Sequence, residues 1–173
     1  AESEGIERQH EIIIELDMLY SIARFSSEMG MQIPLVEERR SINLIKARHP
    51  LLEIVLKQSG GTGRVVPLDL KLGDDKTVMV ITGSNAGGKT IAIKTVGLLL
   101  AMALSGLPVS ADAASSFPFV RNLIADIGDE QSIENNLSTF SAHISHISEI
   151  IKTAGPDSLI LMDELGTGTD PEE

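Results

Sequence analysis

The sequence predicts an α/β fold in which helices flank a layered sheet, and three observations support it. Residues 76–82 form a β-branched run with the composition of a buried parallel strand. A glycine-rich stretch, 83–90, follows directly, and the apolar stretch 90–105 after it has helical character. A second apolar run, 159–162, ends in two acidic residues. A strand, a glycine-rich loop and a helix in this order are typical of phosphate-binding α/β proteins.

The glycine-rich stretch fits the phosphate-loop pattern G-x-x-x-x-G-K-[ST] at every fixed position. Glycines allow successive backbone N–H groups to turn toward phosphate oxygens, and the N-terminus of the next helix adds partial positive charge. We expect Lys89 to reach the β- and γ-phosphates of ATP and Thr90 to hold Mg²⁺. The predicted phosphate-binding residues are Gly83, Ser84, Asn85, Ala86, Gly87, Gly88, Lys89 and Thr90.

The acidic pair after the second apolar strand predicts the other half of the site. The carboxyl ends of parallel strands face the ligand in open α/β sheets. We therefore expect Asp163 to bind Mg²⁺ through a water, and Glu164 to act as the general base or to position the attacking water. The alternative is an acidic pair that only caps a turn.

The composition of the chain limits the functions and locations that the sequence predicts. The chain has 173 residues, a net charge of −11 and no cysteine. Binding to a nucleic-acid backbone relies on Lys and Arg, so we expect any DNA contact to lie elsewhere. No stretch predicts a membrane span or a secretory signal, and the absence of cysteine favours the cytoplasm.

The remaining periodicity predicts further elements. Apolar stripes predict a long helix over residues 6–29 with a broad buried face, and alternation predicts strands at 41–47 and 68–72. Arg48-His49-Pro50 predicts a turn after the first of these strands. A turn at 73–75 leads into the strand before the phosphate loop. A strand at 122–127 and a helix at 141–153 come before the last apolar strand.

Three motifs together resemble the ATPase domain of the MutS family. They are the phosphate loop, Leu137-Ser138-Thr139-Phe140-Ser141, and Leu161-Met162-Asp163-Glu164-Leu165-Gly166-Thr167-Gly168-Thr169. Further details, such as Thr95-Val96-Gly97-Leu98, are most similar to the second bacterial branch, which is linked to recombination control and ribosome rescue. Ser84 departs from the family pattern, which usually has proline there.

The resemblance implies an ABC-type P-loop ATPase whose complete site forms across a homodimer. It implies that Ser138 and Thr139 contact the γ-phosphate held by the other subunit. The sequence alone also predicts that they cap the helix from residue 141, and the two roles are compatible. The resemblance also implies that Gln131 senses Mg²⁺ or water. Residues 1–34 would be the end of a helical lever and 35–173 an ATPase domain that is incomplete at its C-terminus.

The expected function is Mg²⁺-dependent ATP binding and hydrolysis across that dimer. The resemblance implies that, in the full-length protein, this ATP hydrolysis is coupled to DNA clamping in recombination or repair, or to a ribosome. The DNA or ribosome would be bound by regions outside these residues. The alternative is an ATP-dependent dimerisation module with negligible turnover. We expect weak or absent hydrolysis from the 173 residues alone.

Overall fold

The structure is a computed structural model that describes residues 2–60, 63–84, 87–127 and 136–163, except for the side chains of 2–4, 136–143 and 146. Helices and strands are mixed along the chain, as predicted. In chain order the elements are α1 (Glu2–Met29), β1 (Leu35–Glu37), β2 (Ser41–Ala47), α2 (Pro50–Gln58), β3 (Leu68–Gly73), α3 (Lys89–Leu104), β4 (Ser116–Pro118), β5 (Asn122–Asp126), α4 (Asn136–Thr153) and β6 (Ser158–Met162).

In the described part of the chain the strands form two sheets, whereas the sequence predicts a single layered sheet. One has four strands in the order β1-β4-β2-β3, and the other pairs β5 with β6. The β2–β3 and β2–β4 pairs are antiparallel, whereas β1–β4 and β5–β6 are parallel. The parallel pair brings the carboxyl ends of β5 and β6 to one edge, and Asp163 follows β6 at that edge.

The core lies where α3 packs against both sheets. Leu99 and Leu100 of α3, Ile42 and Leu44 of β2, and Phe117 of β4 are fully buried. Leu161 of β6 belongs to the same cluster. Alternating apolar residues on strands and a broad apolar face on α3 therefore meet in one continuous core.

The prediction of a broad buried face on α1 is wrong for the described residues. The helix forms, but nearly all of its side chains from residue 5 onward are exposed, and only Met29 is buried. The apolar residues are spread around the helix, so a single neighbour could not cover them. Arg48 ties the end of α1 to the body, since its Nη2 donates to the Met29 carbonyl at 3.2 Å.

The strand predicted at 76–82 is not formed within the described part of the chain. Its β-branched composition favours extended backbone, but a strand also needs a partner for its N–H and C=O groups. Its one ladder contact there is the isolated bridge between Gly73 and Lys76. Val78 and Val80 accordingly remain 77% and 79% exposed.

Two helices differ from the sequence-based expectation. The sequence predicts a turn at Arg48-His49-Pro50, whereas α2 begins at Pro50 with His49 as its N-cap. Proline is well suited to the first turn of a helix, because the N–H that it lacks would have no helical partner there. Helix α4 begins at Asn136, five residues before the predicted start, so capping of a helix from residue 141 by Ser138 or Thr139 is wrong.

No helix in the described ranges combines the length and the apolar character that a membrane crossing requires.

Two phenylalanines two positions apart test the location of the core. Phe117 is 0% exposed, whereas Phe119 is 62% exposed. We expect Phe117→Ala to lower the free energy of unfolding by about 3–5 kcal/mol, because it leaves a cavity. Phe119→Ala is the matched control and should cost less than about 1 kcal/mol. Urea unfolding measures both, and equal losses would contradict this core.

The His49 cap predicts a pH dependence of stability. Its Nδ1 accepts a hydrogen bond from the Leu52 N–H at 3.3 Å, which requires the neutral ring. Burial, and secondarily the Lys94 ammonium, lower the pKa of His49 below its ordinary value of 6.5. The unfolded chain therefore binds this proton more readily, so the stabilisation is present above pH 6.5 and is lost as the pH falls.

We expect His49→Asn to reduce the loss of stability between about pH 8 and about pH 5.5, because Asn caps helices without titrating. Urea unfolding at the two pH values gives the comparison. An unchanged pH dependence in the variant would show that another group is responsible.

Candidate functional site

The glycine-rich loop leads directly into α3. Gly88 is the N-cap of α3 and has φ 78° and ψ 16°, a left-handed conformation that glycine adopts without a Cβ clash. The Gly87 N–H donates to the Ser84 carbonyl at 2.9 Å, which closes a turn before the helix. Asn85 and Ala86 lie outside the described residues. The described part of the loop thus leads directly into the N-terminus of α3.

The Lys89 side chain folds back across the loop. Its ammonium donates to the Gly83 carbonyl at 2.7 Å and to the Ser84 carbonyl at 2.9 Å. No acidic residue lies in the first turn of α3. The ammonium and the helix N-terminus therefore contribute positive charge at one place, which suits an anion such as a phosphate group.

Thr90 and Asp163 are in direct contact, although they are far apart in the sequence. The Thr90 hydroxyl donates to Asp163 Oδ2 at 2.5 Å. The Asp163 N–H donates to the Asp126 carbonyl at 2.9 Å, which holds Asp163 at the carboxyl edge of the β5–β6 pair. The contact joins the first turn of α3 to the carboxyl end of β6, the edge at which open α/β sheets bind their ligands.

These oxygens suit a small divalent cation. A hydroxyl and a carboxylate are hard ligands, and Mg²⁺ typically takes one or two protein oxygens and fills its other positions with water and phosphate. Among the residues that the structure describes, no three His, Cys, Asp or Glu side chains gather as a metal site. Thr90 and Asp163 therefore fit a cation shared with a phosphate ligand better than a cation held by protein alone.

Asp126 also lies at this edge, and the sequence reasoning did not single it out. It is the last residue of β5 and pairs in register with Met162, immediately before Asp163. The Asp163 N–H donates to the Asp126 carbonyl, so the backbones of the two aspartates are neighbours at this edge. The available signal was an acidic residue at the end of an apolar strand, the same signal that identified Asp163.

Several predicted site residues are not tested by this geometry. Gln131 and Glu164 lie outside the described residues. Ser138 and Thr139 lie in the first turn of α4, and their side chains are not described. Their predicted contacts with ATP stay predictions.

Comparison with known proteins identifies the family. The profile of MutS domain V matches residues 79–173, which include the phosphate loop and the Asp163 edge. The chain belongs to the MutS family. This agrees with the resemblance carried by the three sequence motifs.

Relatives in the MutS family include proteins named Endonuclease MutS2. The one from Pelotomaculum thermopropionicum is 50% identical over 163 residues, which are 94% of this chain and 20% of that protein. The one from Clostridium kluyveri is 49% identical over 168 residues, or 97% and 20%. The one from Clostridium botulinum is 44% identical over 169 residues, or 98% and 20%. The chain therefore spans about one fifth of the length of these relatives.

The Thr90–Asp163 hydrogen bond predicts a contribution to stability before any ligand binds. A hydrogen bond to a charged group typically contributes about 1.5–3 kcal/mol. We expect Thr90→Val to lose most of that amount in urea unfolding, because valine has the shape of threonine without its hydroxyl. Thr90→Ser keeps the hydroxyl and is the control. A Thr90→Val variant as stable as Thr90→Ser would mean that the hydrogen bond contributes nothing to folding.

Proposed function

We propose that this chain is the ATP-binding part of a MutS-family ATPase of the ABC type. The observation that carries the proposal is the 2.5 Å contact between Thr90 and Asp163. Lys89 precedes Thr90 in the chain, and its ammonium donates to the loop carbonyl of Gly83. A phosphate-loop lysine and threonine next to a carboxylate at a strand end are the groups that bind a nucleoside triphosphate with Mg²⁺.

Each group has a separate role in this proposal. The backbone of residues 83–88 binds the phosphate oxygens, and Lys89 neutralises charge on the β- and γ-phosphates. Thr90 and Asp163 hold Mg²⁺, which when bound neutralises negative charge on the phosphates. Glu164 orients or deprotonates the attacking water, and Gln131 senses the cation or that water.

We further propose that hydrolysis requires two copies of the chain. The MutS-family resemblance assigns Ser138 and Thr139 to the γ-phosphate bound by the other subunit. Their place in the first turn of α4 supports this, because a helix N-terminus favours a nearby anion. A single copy then binds ATP but lacks the groups that complete the site.

The wider role proposed for the full-length protein is DNA transactions in recombination or repair. Support comes from family membership and from relatives that carry the name Endonuclease MutS2. The net charge of −11 argues that DNA, or a ribosome, contacts regions outside these residues. The ATP cycle would drive a clamp formed by those regions.

Removal of the phosphate-loop ammonium tests ATP binding. We expect Lys89→Ala to weaken ATP affinity at least about tenfold, which corresponds to about 1.4 kcal/mol of lost charge pairing. Lys94→Ala removes an exposed ammonium from the same helix and is the matched control. Isothermal titration with Mg-ATP measures both, and equal affinities in the two variants would refute the proposed site.

Replacement of the proposed base tests hydrolysis in the full-length dimer. We expect Glu164→Gln to slow ATP turnover at least about a hundredfold while ATP binding is retained, since the amide cannot accept a proton. Steady-state turnover and equilibrium binding give the two quantities. Wild-type turnover in this variant would exclude Glu164 as the base.

The dependence of turnover on protein concentration separates an ATPase from a dimerisation module. A site completed by a second subunit predicts that the rate per subunit rises as the dimer forms. Negligible turnover in a fully dimeric sample would favour the module instead.

A further inference from the structure

Helix α3 passes very close to β6 at Gly97. A Cβ atom added to Gly97 would lie 2.7 Å from Leu161 Cδ1. Carbon atoms in ordinary contact are about 3.5–4.0 Å apart, so any larger residue at position 97 would collide with Leu161. The absence of a side chain at residue 97 makes room for Leu161 between helix and strand.

This close approach lies on the same faces as the Thr90–Asp163 contact. Thr90 and Gly97 are at i and i+7, two turns apart on one face of α3. Leu161 and Asp163 are two residues apart, so they project from the same face of the strand. The same surfaces therefore meet twice, at a packing contact within the core and at a polar contact at the edge of the sheet.

The surroundings leave little room for Leu161 to move aside. It is only 9% exposed and belongs to the core cluster with Val96, Leu99 and Leu100 of α3. Cores are packed as densely as organic crystals, so an extra methyl group displaces either a side chain or a whole element. Because its neighbours hold Leu161 in place, we expect the extra methyl group to displace α3 relative to β6.

Glycine is a costly choice in the middle of a helix. It is the poorest helix former after proline, and alanine is the best. If Gly97 had no neighbour, an alanine would stabilise the helix. The contact with Leu161 supplies the physical reason for glycine at this position.

We propose that Gly97 is a positioning residue, which together with Leu161 sets the separation of α3 and β6 that holds the Thr90 hydroxyl against the Asp163 carboxylate. A consequence is that Gly97 controls how strongly Mg²⁺ supports nucleotide binding. This consequence rests on the proposed function, whereas the positioning itself does not.

A double-mutant cycle without nucleotide tests the positioning. Thr90→Val, Asp163→Ala and the double variant are unfolded with urea, and their coupling is obtained as a factor in the unfolding equilibrium constant. We expect a coupling of at least about fivefold in the wild-type background and less than about twofold with Gly97→Ala. Adding Leu161→Val, which removes the colliding Cδ1, should restore the coupling. Equal coupling in all three backgrounds would overturn the proposal.

Two comparisons keep this cycle decisive. Gly5→Ala is the matched control, because Gly5 also lies in a helix but has no atom within 4 Å of an added Cβ, and it should leave the coupling unchanged. If Gly97→Ala does not fold, the variant that also carries Leu161→Val is expected to fold and to show the coupling. Failure of both to fold would overturn the proposed contact.

The effect of Mg²⁺ on nucleotide binding distinguishes positioning of the cation site from a general effect of Gly97 on stability. The Mg²⁺ advantage is the ratio of the ATP dissociation constants in EDTA and in Mg²⁺. We expect Gly97→Ala to lower this ratio at least about fivefold and to change the ATP dissociation constant in EDTA less than about twofold. Adding Leu161→Val should restore the ratio. An equal loss of ATP affinity in EDTA and in Mg²⁺ would contradict a role of Gly97 in positioning the cation site. If wild-type protein binds no ATP, the proposed function fails, and the nucleotide-free cycle alone decides the role of Gly97.

Discussion

The position of α3 is the constraint on which the other described features depend. This helix packs against β1 and β4 of the larger sheet and against β5 and β6 of the smaller one. Leu99 and Leu100 are fully buried in that packing. A helix fixed along its length also has a fixed N-terminus, so the core determines where Lys89 and Thr90 lie.

Magnitudes show that packing, and not the polar contact, determines this arrangement. Burial of one leucine side chain contributes about 1.5–3 kcal/mol. A hydrogen bond to a charged group contributes a similar amount, so the two buried leucines alone outweigh the Thr90–Asp163 bond. The polar pair therefore responds to the helix position that the core sets. A change of one methyl group at Gly97 can in consequence alter a site two turns away.

The sequence predicted features that depend on neighbours along the chain or on a general rule of sheets. Alternation located β2 and β3, and apolar runs located β5 and β6. The position of Asp163 after an apolar strand indicated that it lies at the carboxyl edge of the sheet. Helix α2 was missed because His49 and Pro50 were interpreted as a turn, although a cap followed by proline also starts a helix. The sequence does not assign Asp126 to the site, since its register with Met162 is a property of the sheet.

The two errors about burial have one physical cause. Ile14 of α1 and Val80 of segment 76–82 are apolar, and their patterns predicted a buried helix face and a buried strand, yet both side chains are exposed in the described chain. An apolar pattern states which environment a side chain prefers, but a neighbouring element must supply that environment. The Thr90–Asp163 contact, by contrast, forms because both partners lie within the described residues. The prediction at 76–82 failed because, in the described part of the chain, no strand lies alongside it to form a ladder.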